Sequence, residues 1–185
     1  VSGSDEIDNR KDLLLLVLAA QDGAPVVGVT RLQKYLYLLQ DQEGWGERLG
    51  SSRYDFRPYD FGPFDDQIYA DLDFLENLEL ITKQPAGEEP LSESGEEQQA
   101  SESWGTNDPE FAPWTTDQEI WSYRLTDKGR DFVAQKLALS QEDAETIERM
   151  KERWNGTPLT QFLRWLYKTY PDVAENTKLT HLRAT

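Results

Sequence analysis

The sequence predicts an α+β fold, mainly helical, and three observations carry that prediction. Apolar residues recur at helical spacing in several well-patterned segments. Two short stretches, residues 80–83 and 119–125, read as strands. Between them lies an acidic connection, residues 86–118, rich in Glu, Ser, Gly and Pro, with no Lys or Arg from Lys83 to Arg124. Helices, then a strand pair with a long connection, then more helices is the order of elements.

Residues 1–9 are small and polar without a period and are expected to form a flexible lead-in. The run LLLLVLAA at 13–20 is apolar nearly all round and stops at Asp22, Gly23, Ala24 and Pro25. It predicts a central first helix over 10–21, buried on most sides. Val29, Leu32, Leu36 and Leu39, with Tyr35 on the same side, predict a second helix begun near Gly28 and closed by Gly44, Trp45 and Gly46. Residues 54–59 alternate aromatic and polar side chains like a short strand, and Phe61, Gly62, Pro63 and Phe64 turn the chain. Pro63 fits the first position of a third helix, where no N–H is needed, and Asp65 and Asp66 fit the positive end of its dipole. Ile68, Leu72, Leu75 and Leu78 form its apolar face, with Tyr69 beside them.

The connection 86–118 is expected to be disordered, because it buries too little apolar surface to offset backbone ordering at about 1–2 kcal/mol per residue. Trp104, Phe111 and Trp114 within it dock on the body or a partner, or pack locally. Thr126 is placed as the N-cap of a helix through Phe132, Val133 and Leu137, and Ser140 opens one striped by Ile147, Met150 and Trp154. Thr157 and Pro158 start a last helix with Phe162, Leu163, Leu166 and Tyr167, ended at Tyr170 and Pro171. The expected organisation is a lead-in 1–9, a body 10–140 carrying the insert 86–118, a C-terminal helical pair 141–171 and a tail 172–185.

The 185 residues include 35 acidic and 19 basic ones, a net charge of −16. Carboxylates spread along the whole chain fit a salt-accumulating halophile, where the Debye length shrinks to about 3 Å; one acidic tract in a mesophilic protein is the alternative. Cysteine is absent, which removes disulfides, thiolate nucleophiles and zinc-thiolate sites. The longest apolar run is far shorter than the roughly 20 residues of a membrane span, and nothing reads as a targeting segment, so the expectation is a cytoplasmic protein with no membrane contact.

Three helices, a strand pair and further helices is the order of a winged helix, in which the third helix reads DNA and the strand pair is the wing. Three stretches carry a family likeness as well: RLQKYLYLL from Arg31 to Leu39, YDFGPFD from Tyr59 to Asp65, and Tyr123, Arg124, Leu125 and Thr126. With residues 72–81 they resemble the YwgA-like and SocA-like group of winged-helix proteins, the latter carrying the Panacea antitoxin domain. Tyr167, Lys168, Thr169, Tyr170 and Pro171 are similar to the closing helix and Tyr-Pro turn of YwgA-like members. The resemblance implies a small non-catalytic regulatory protein that binds a protein partner, in some members a toxin, and with the acidic coat a halophilic archaeal source. The long acidic wing insert and the acidic third helix depart from the group's pattern.

A DNA-reading helix needs Arg, Lys, Asn or Gln at the groove and cations for the phosphates. From Phe64 to Leu80 there is no basic residue, while Asp65, Asp66, Asp71, Asp73, Glu76 and Glu79 are present, so binding of DNA by this helix is disfavoured. The candidate partner-binding residues are Arg31, Lys34, Arg53, Arg57, Tyr59, Phe61 and Phe64. Arg53 and Arg57, four apart, would point the same way on an extended strand. A transcriptional regulator using the wing and a basic strip of Arg53, Arg57, Arg124, Lys128 and Arg130 is the alternative, and ordinary pairing with neighbouring carboxylates is the plainer account of the same cations. Lys34 stands out in an otherwise apolar helix.

Catalysis has little support. His181, the only histidine, lies in the polar tail. Asp60, Asp65, Asp66 and Asp71 are the only grouping that suits a metal-dependent nuclease, with no base to complete it, so no cofactor and no metal is expected. Most of Tyr35, Tyr37, Tyr54, Tyr59, Phe61, Phe64 and Tyr69 are expected in the core or between helices, and an excess over what one small core needs would leave a surface patch for a partner or for self-association. The terminal helices, with Ile147, Met150, Trp154, Phe162, Trp165 and Leu166, pack on the body or across a homodimer.

Overall fold

A computed structural model describes residues 7–86 and 120–177. The expectations for residues 1–6, for the connection at 87–119 with its three aromatic residues, and for His181 lie outside the described residues. The fold is α+β and mostly helical, with seven α-helices and two small sheets among the described residues.

Helix α1 (Arg10–Gly23) is the central one, as its apolar run predicts. Asn9 caps it, its side-chain oxygen accepting from Lys11 N at 2.9 Å, and Leu13, Leu14, Leu15, Leu16, Val17 and Leu18 are all buried. At about 1.5–3 kcal/mol for each large side chain, this single run is a major contribution to the core. Regular helical geometry stops before Ala20, and Gln21 and Asp22 take positive φ of 56° and 53°. Ile7 is also buried, so the last part of the expected lead-in belongs to the body.

Strand β1 (Val26–Val27) leads through Gly28 to α2 (Val29–Tyr37), which continues as a wide π turn (Leu38–Gln42). Gly44 in the left-handed region closes that turn, and a further short helix, α3 (Trp45–Leu49), follows with Trp45 buried. Next comes a hairpin of β2 (Arg57–Tyr59) and β3 (Gly62–Phe64), paired Arg57 to Phe64 and Tyr59 to Gly62 around Asp60 and Phe61. Pro63 therefore lies in a strand and not at a helix start. The helix begins later, as α4 (Gln67–Asn77), with Asp65 accepting from Gln67 N at 2.9 Å.

Strands β4 (Ile81–Pro85) and β5 (Trp121–Leu125) pair antiparallel from Ile81–Leu125 to Pro85–Trp121, and β1 completes a sheet of order β1-β5-β4. Thr126 caps α5 (Asp127–Lys136) by accepting from Gly129 N at 3.0 Å. Gly129 lies so close to the Leu80 carbonyl oxygen that a Cβ there has no room, which seats α5 against the start of β4. Ser140 caps α6 (Gln141–Asn155), and α7 (Leu159–Thr169) follows Pro158.

Both terminal helices pack on the body of the same chain. Ile147, Trp154, Phe162 and Leu166 are buried, and Trp154 stacks on Phe162 at 4.6 Å between ring centroids. Lys151 of α6 is buried and donates to the carbonyls of Leu18 at 3.1 Å and Ala20 at 2.7 Å, the exposed backbone acceptors where α1 ends. The segment after α7 is also part of the fold: Val173, Ala174 and Thr177 are buried, and Thr177 Oγ1 donates to the carbonyl of Asp60 at 2.9 Å.

Candidate partner-binding site

The hairpin β2–β3 lies over α2, and the two enclose a crevice lined by Thr30, Gln33, Lys34, Tyr59, Phe61, Gly62, Phe64 and Tyr69. It has about 20 Å³ of room for the centre of a water-sized group. Four residues singled out in the sequence, Lys34, Tyr59, Phe61 and Phe64, meet here. The aromatic cluster divides: Tyr35 and Tyr54 are buried in the core, whereas Tyr59, Phe61, Phe64 and Tyr69 are half-buried at the crevice. Tyr59 and Phe64 lie 5.2 Å apart between centroids, and Phe64 and Tyr69 6.3 Å. Gly62, at φ 91°, is required by its conformation and because a Cβ would come within 3.0 Å of the Tyr167 ring and 3.6 Å of Lys34 Cε.

Lys34 is 2% exposed, and its ammonium donates to the carbonyl of Pro63 at 2.9 Å, with no ion pair among the described residues. Burial pushes its pKa down to about 7, because an ammonium without a counter-ion is poorly solvated there. Beside it Gln33, 1% exposed, accepts from Asp65 N through Oε1 at 3.0 Å. That bond fixes the orientation of the amide, and the Gln33 NH2 group is left without an acceptor among the described residues.

The remaining cations do not gather. Arg31 is buried, contrary to the expectation of a partner-facing side chain, and donates to the carbonyl of Trp154 at 2.6 Å, tying α2 to α6. Arg53 and Arg57 are exposed but do not share a strand, since β2 begins only at Arg57, and Arg57 pairs with Asp55 at 2.9 Å. Arg124 is exposed on β5, in the other sheet. Lys128 and Arg130 pair with Glu79 and Asp127. Asp71 is no surface ligand either: it is buried and accepts from Arg10 Nε at 2.6 Å and the Tyr54 hydroxyl at 2.8 Å. No group of three or more His, Cys, Asp or Glu is placed to hold a metal among the described residues.

The solvent face of α4 carries Phe74 and Leu78, 48% and 43% exposed, too open to be core residues. One turn apart, they share a face, with the exposed carboxylates of Asp66, Asp73 and Glu79 along the same segment. The sequence reading put Leu78 on the core face; the helix rotates it outward, and Asp71 takes a buried position in the same stretch.

Compared with known protein families, curated proteins and solved structures, the chain matches none. The site therefore rests on its own geometry.

Proposed function

We propose that this chain is a non-enzymatic winged-helix regulatory module, antitoxin-like, that binds a protein partner. The strand order β1-β5-β4, with β1 between the first two helices, supports the winged-helix reading. The observation that carries the partner class is the outer face of α4. A helix that enters a DNA groove needs cations, and this one offers an exposed Phe74 and Leu78 among carboxylates with no basic residue from 64 to 80. An exposed apolar pair matches an apolar protein surface, and beside it Lys11 lies 5.2 Å over the Phe74 ring and Lys128 donates to the Leu78 carbonyl at 2.7 Å.

The test uses the full chain with Phe74→Ser and Leu78→Ser combined. Both side chains are exposed, so the fold should survive while the contact surface is lost. Wild type is expected to retain a stoichiometric protein partner in native-salt affinity capture, and the double variant to lose it. Duplex DNA binding is measured alongside at about 50 mM salt, where phosphate attraction is strongest. Saturable duplex binding abolished by Arg53→Glu with Arg57→Glu would replace this reading with that of a DNA-binding regulator.

A further inference from the structure

Among the described residues, the crevice between α2 and the β2–β3 hairpin presents donors and no matching acceptor. Lys34 carries three N–H groups as an ammonium, and one of them is satisfied, by the Pro63 carbonyl. The Gln33 amide spends its oxygen on Asp65 N and leaves two N–H groups. Both side chains are nearly fully buried, so these donors are costly to leave unmade. Thr30 lines the same wall, and the other walls are largely aromatic.

We infer that this crevice is a carboxylate-binding site, in which Lys34 and the Gln33 amide together hold one carboxylate group. A single water brings two lone pairs, fewer than the donors on offer, whereas a carboxylate brings about four acceptor sites and the negative charge an ammonium needs. The space of about 20 Å³ suits one carboxylate oxygen inside, with the carbon and second oxygen toward the half-buried aromatic mouth. Larger anions such as phosphate ask for more donors and more room than Lys34 and Gln33 supply.

Among the described residues, no carboxylate takes this position. Asp65 uses its two carboxylate oxygens on the N–H groups of Asp55 at 2.7 Å and Gln67 at 2.9 Å. Among the described residues, the other titratable groups against Lys34 are phenols: Tyr59 and Tyr69 along the crevice, and Tyr167 behind Gly62. Burial raises Tyr69 and Tyr167 to about 12, so they stay neutral and bring no charge. A bound carboxylate would hold Lys34 in its protonated form, so affinity falls as pH rises past about 7.

The site lies apart from the outer face of α4 and does not depend on what binds there. The carboxylate has two possible sources, a free small acid or an acidic side chain of a bound segment, and the test separates them. The full chain is titrated near pH 6 with sodium acetate, with sodium chloride at matched ionic strength, and with a blocked single-residue glutamate peptide against its glutamine counterpart. The readout is the side-chain NH2 resonance of Gln33 in a 1H–15N correlation spectrum. Acetate should shift it with a Kd of about 1–50 mM, the range open to so small a ligand. A tighter response to the glutamate peptide assigns the site to a protein acid, and a response to acetate alone assigns it to a small acid.

Two variants guard against misreading. Lys34→Met keeps the side-chain volume and should abolish the response. Gln33→Glu keeps the acceptor for Asp65 N and places a carboxylate oxygen where the amide NH2 was, so it fills the site from within and should also abolish binding; having no side-chain NH2, it is read through the backbone N–H of Gly62 in the same crevice, followed in the wild type as well. Absence of any acetate or peptide response in the folded wild type would overturn the assignment, as would an equal response to chloride, or a Gln33→Glu variant that binds acetate like wild type.

Discussion

Lys34→Met tests the energetics of the crevice through proton linkage. The ordinary lysine pKa is 10.5, and burial lowers that of Lys34 to about 7. Below about 7 the amine is protonated in both the folded and the unfolded chain, and folding bears the full cost of burying an ammonium. Between about 7 and 10.5 the folded amine is neutral while the unfolded one still carries its proton. The unfolded state then binds more protons, so the free energy of unfolding rises with pH through that window and levels off above it. At about 1.36 kcal/mol per pH unit the full swing is roughly 5 kcal/mol.

Methionine has similar volume and does not titrate, so wild type should gain on the variant as pH rises. The measurement is urea unfolding of both proteins, followed by the fluorescence of the buried Trp45 and Trp154, at steps from about pH 6 to about pH 10. Taking the difference removes Lys151 and the buried tyrosines, which titrate in both proteins. Curves that stay parallel between pH 7 and 10 would refute the reasoning, since the folded amine would then titrate as it does in the unfolded chain.

Lys151→Met should lower stability by about 1–2 kcal/mol at about pH 9, where the folded amine, brought down to about 8 by burial, is neutral and still donates, because the variant leaves the carbonyls of Leu18 and Ala20 unserved; the loss should shrink at pH 7, where wild type also bears the cost of a buried ammonium. The check is a lower urea midpoint at unchanged slope. Gly129→Ala should cost at least about 2 kcal/mol even though alanine gains about 1 kcal/mol of helix propensity, since its Cβ would collide with the Leu80 carbonyl oxygen. Thermal unfolding of the variant reads this directly, and a melting point equal to wild type would show that β4 yields.

Several elements were legible because their signals are local. The apolar run at 13–20, the caps Thr126 and Ser140, and the strand character of 80–83 and 119–125 depend on neighbouring residues alone, whereas the strand pair itself runs on through Pro85, which faces Trp121. The buried charges were missed although each lies in register with buried apolar positions. Lys151 is four residues after Ile147 and three before Trp154, and Asp71 is three after Ile68, so both fall on buried stripes. A charge on such a stripe signals a specific buried partner. Gln33 carried no comparable mark; only its neighbour Asp65, 32 residues away, gives it a role.

By itself the sequence determined the main helices and the later strand pair in their order, the acid coat and the absence of a cation along residues 64–80, because composition and periodicity act over one or two turns of chain, and it did not show β1, α3 or β3. Tertiary structure alone decided that Arg31 ties two helices together, that Pro63 supplies a carbonyl to Lys34 from a strand, and that Phe74 and Leu78 face outward. The reason is that a buried donor is defined by the acceptor it meets, and those acceptors come from segments about 30 to more than 100 residues away in the chain.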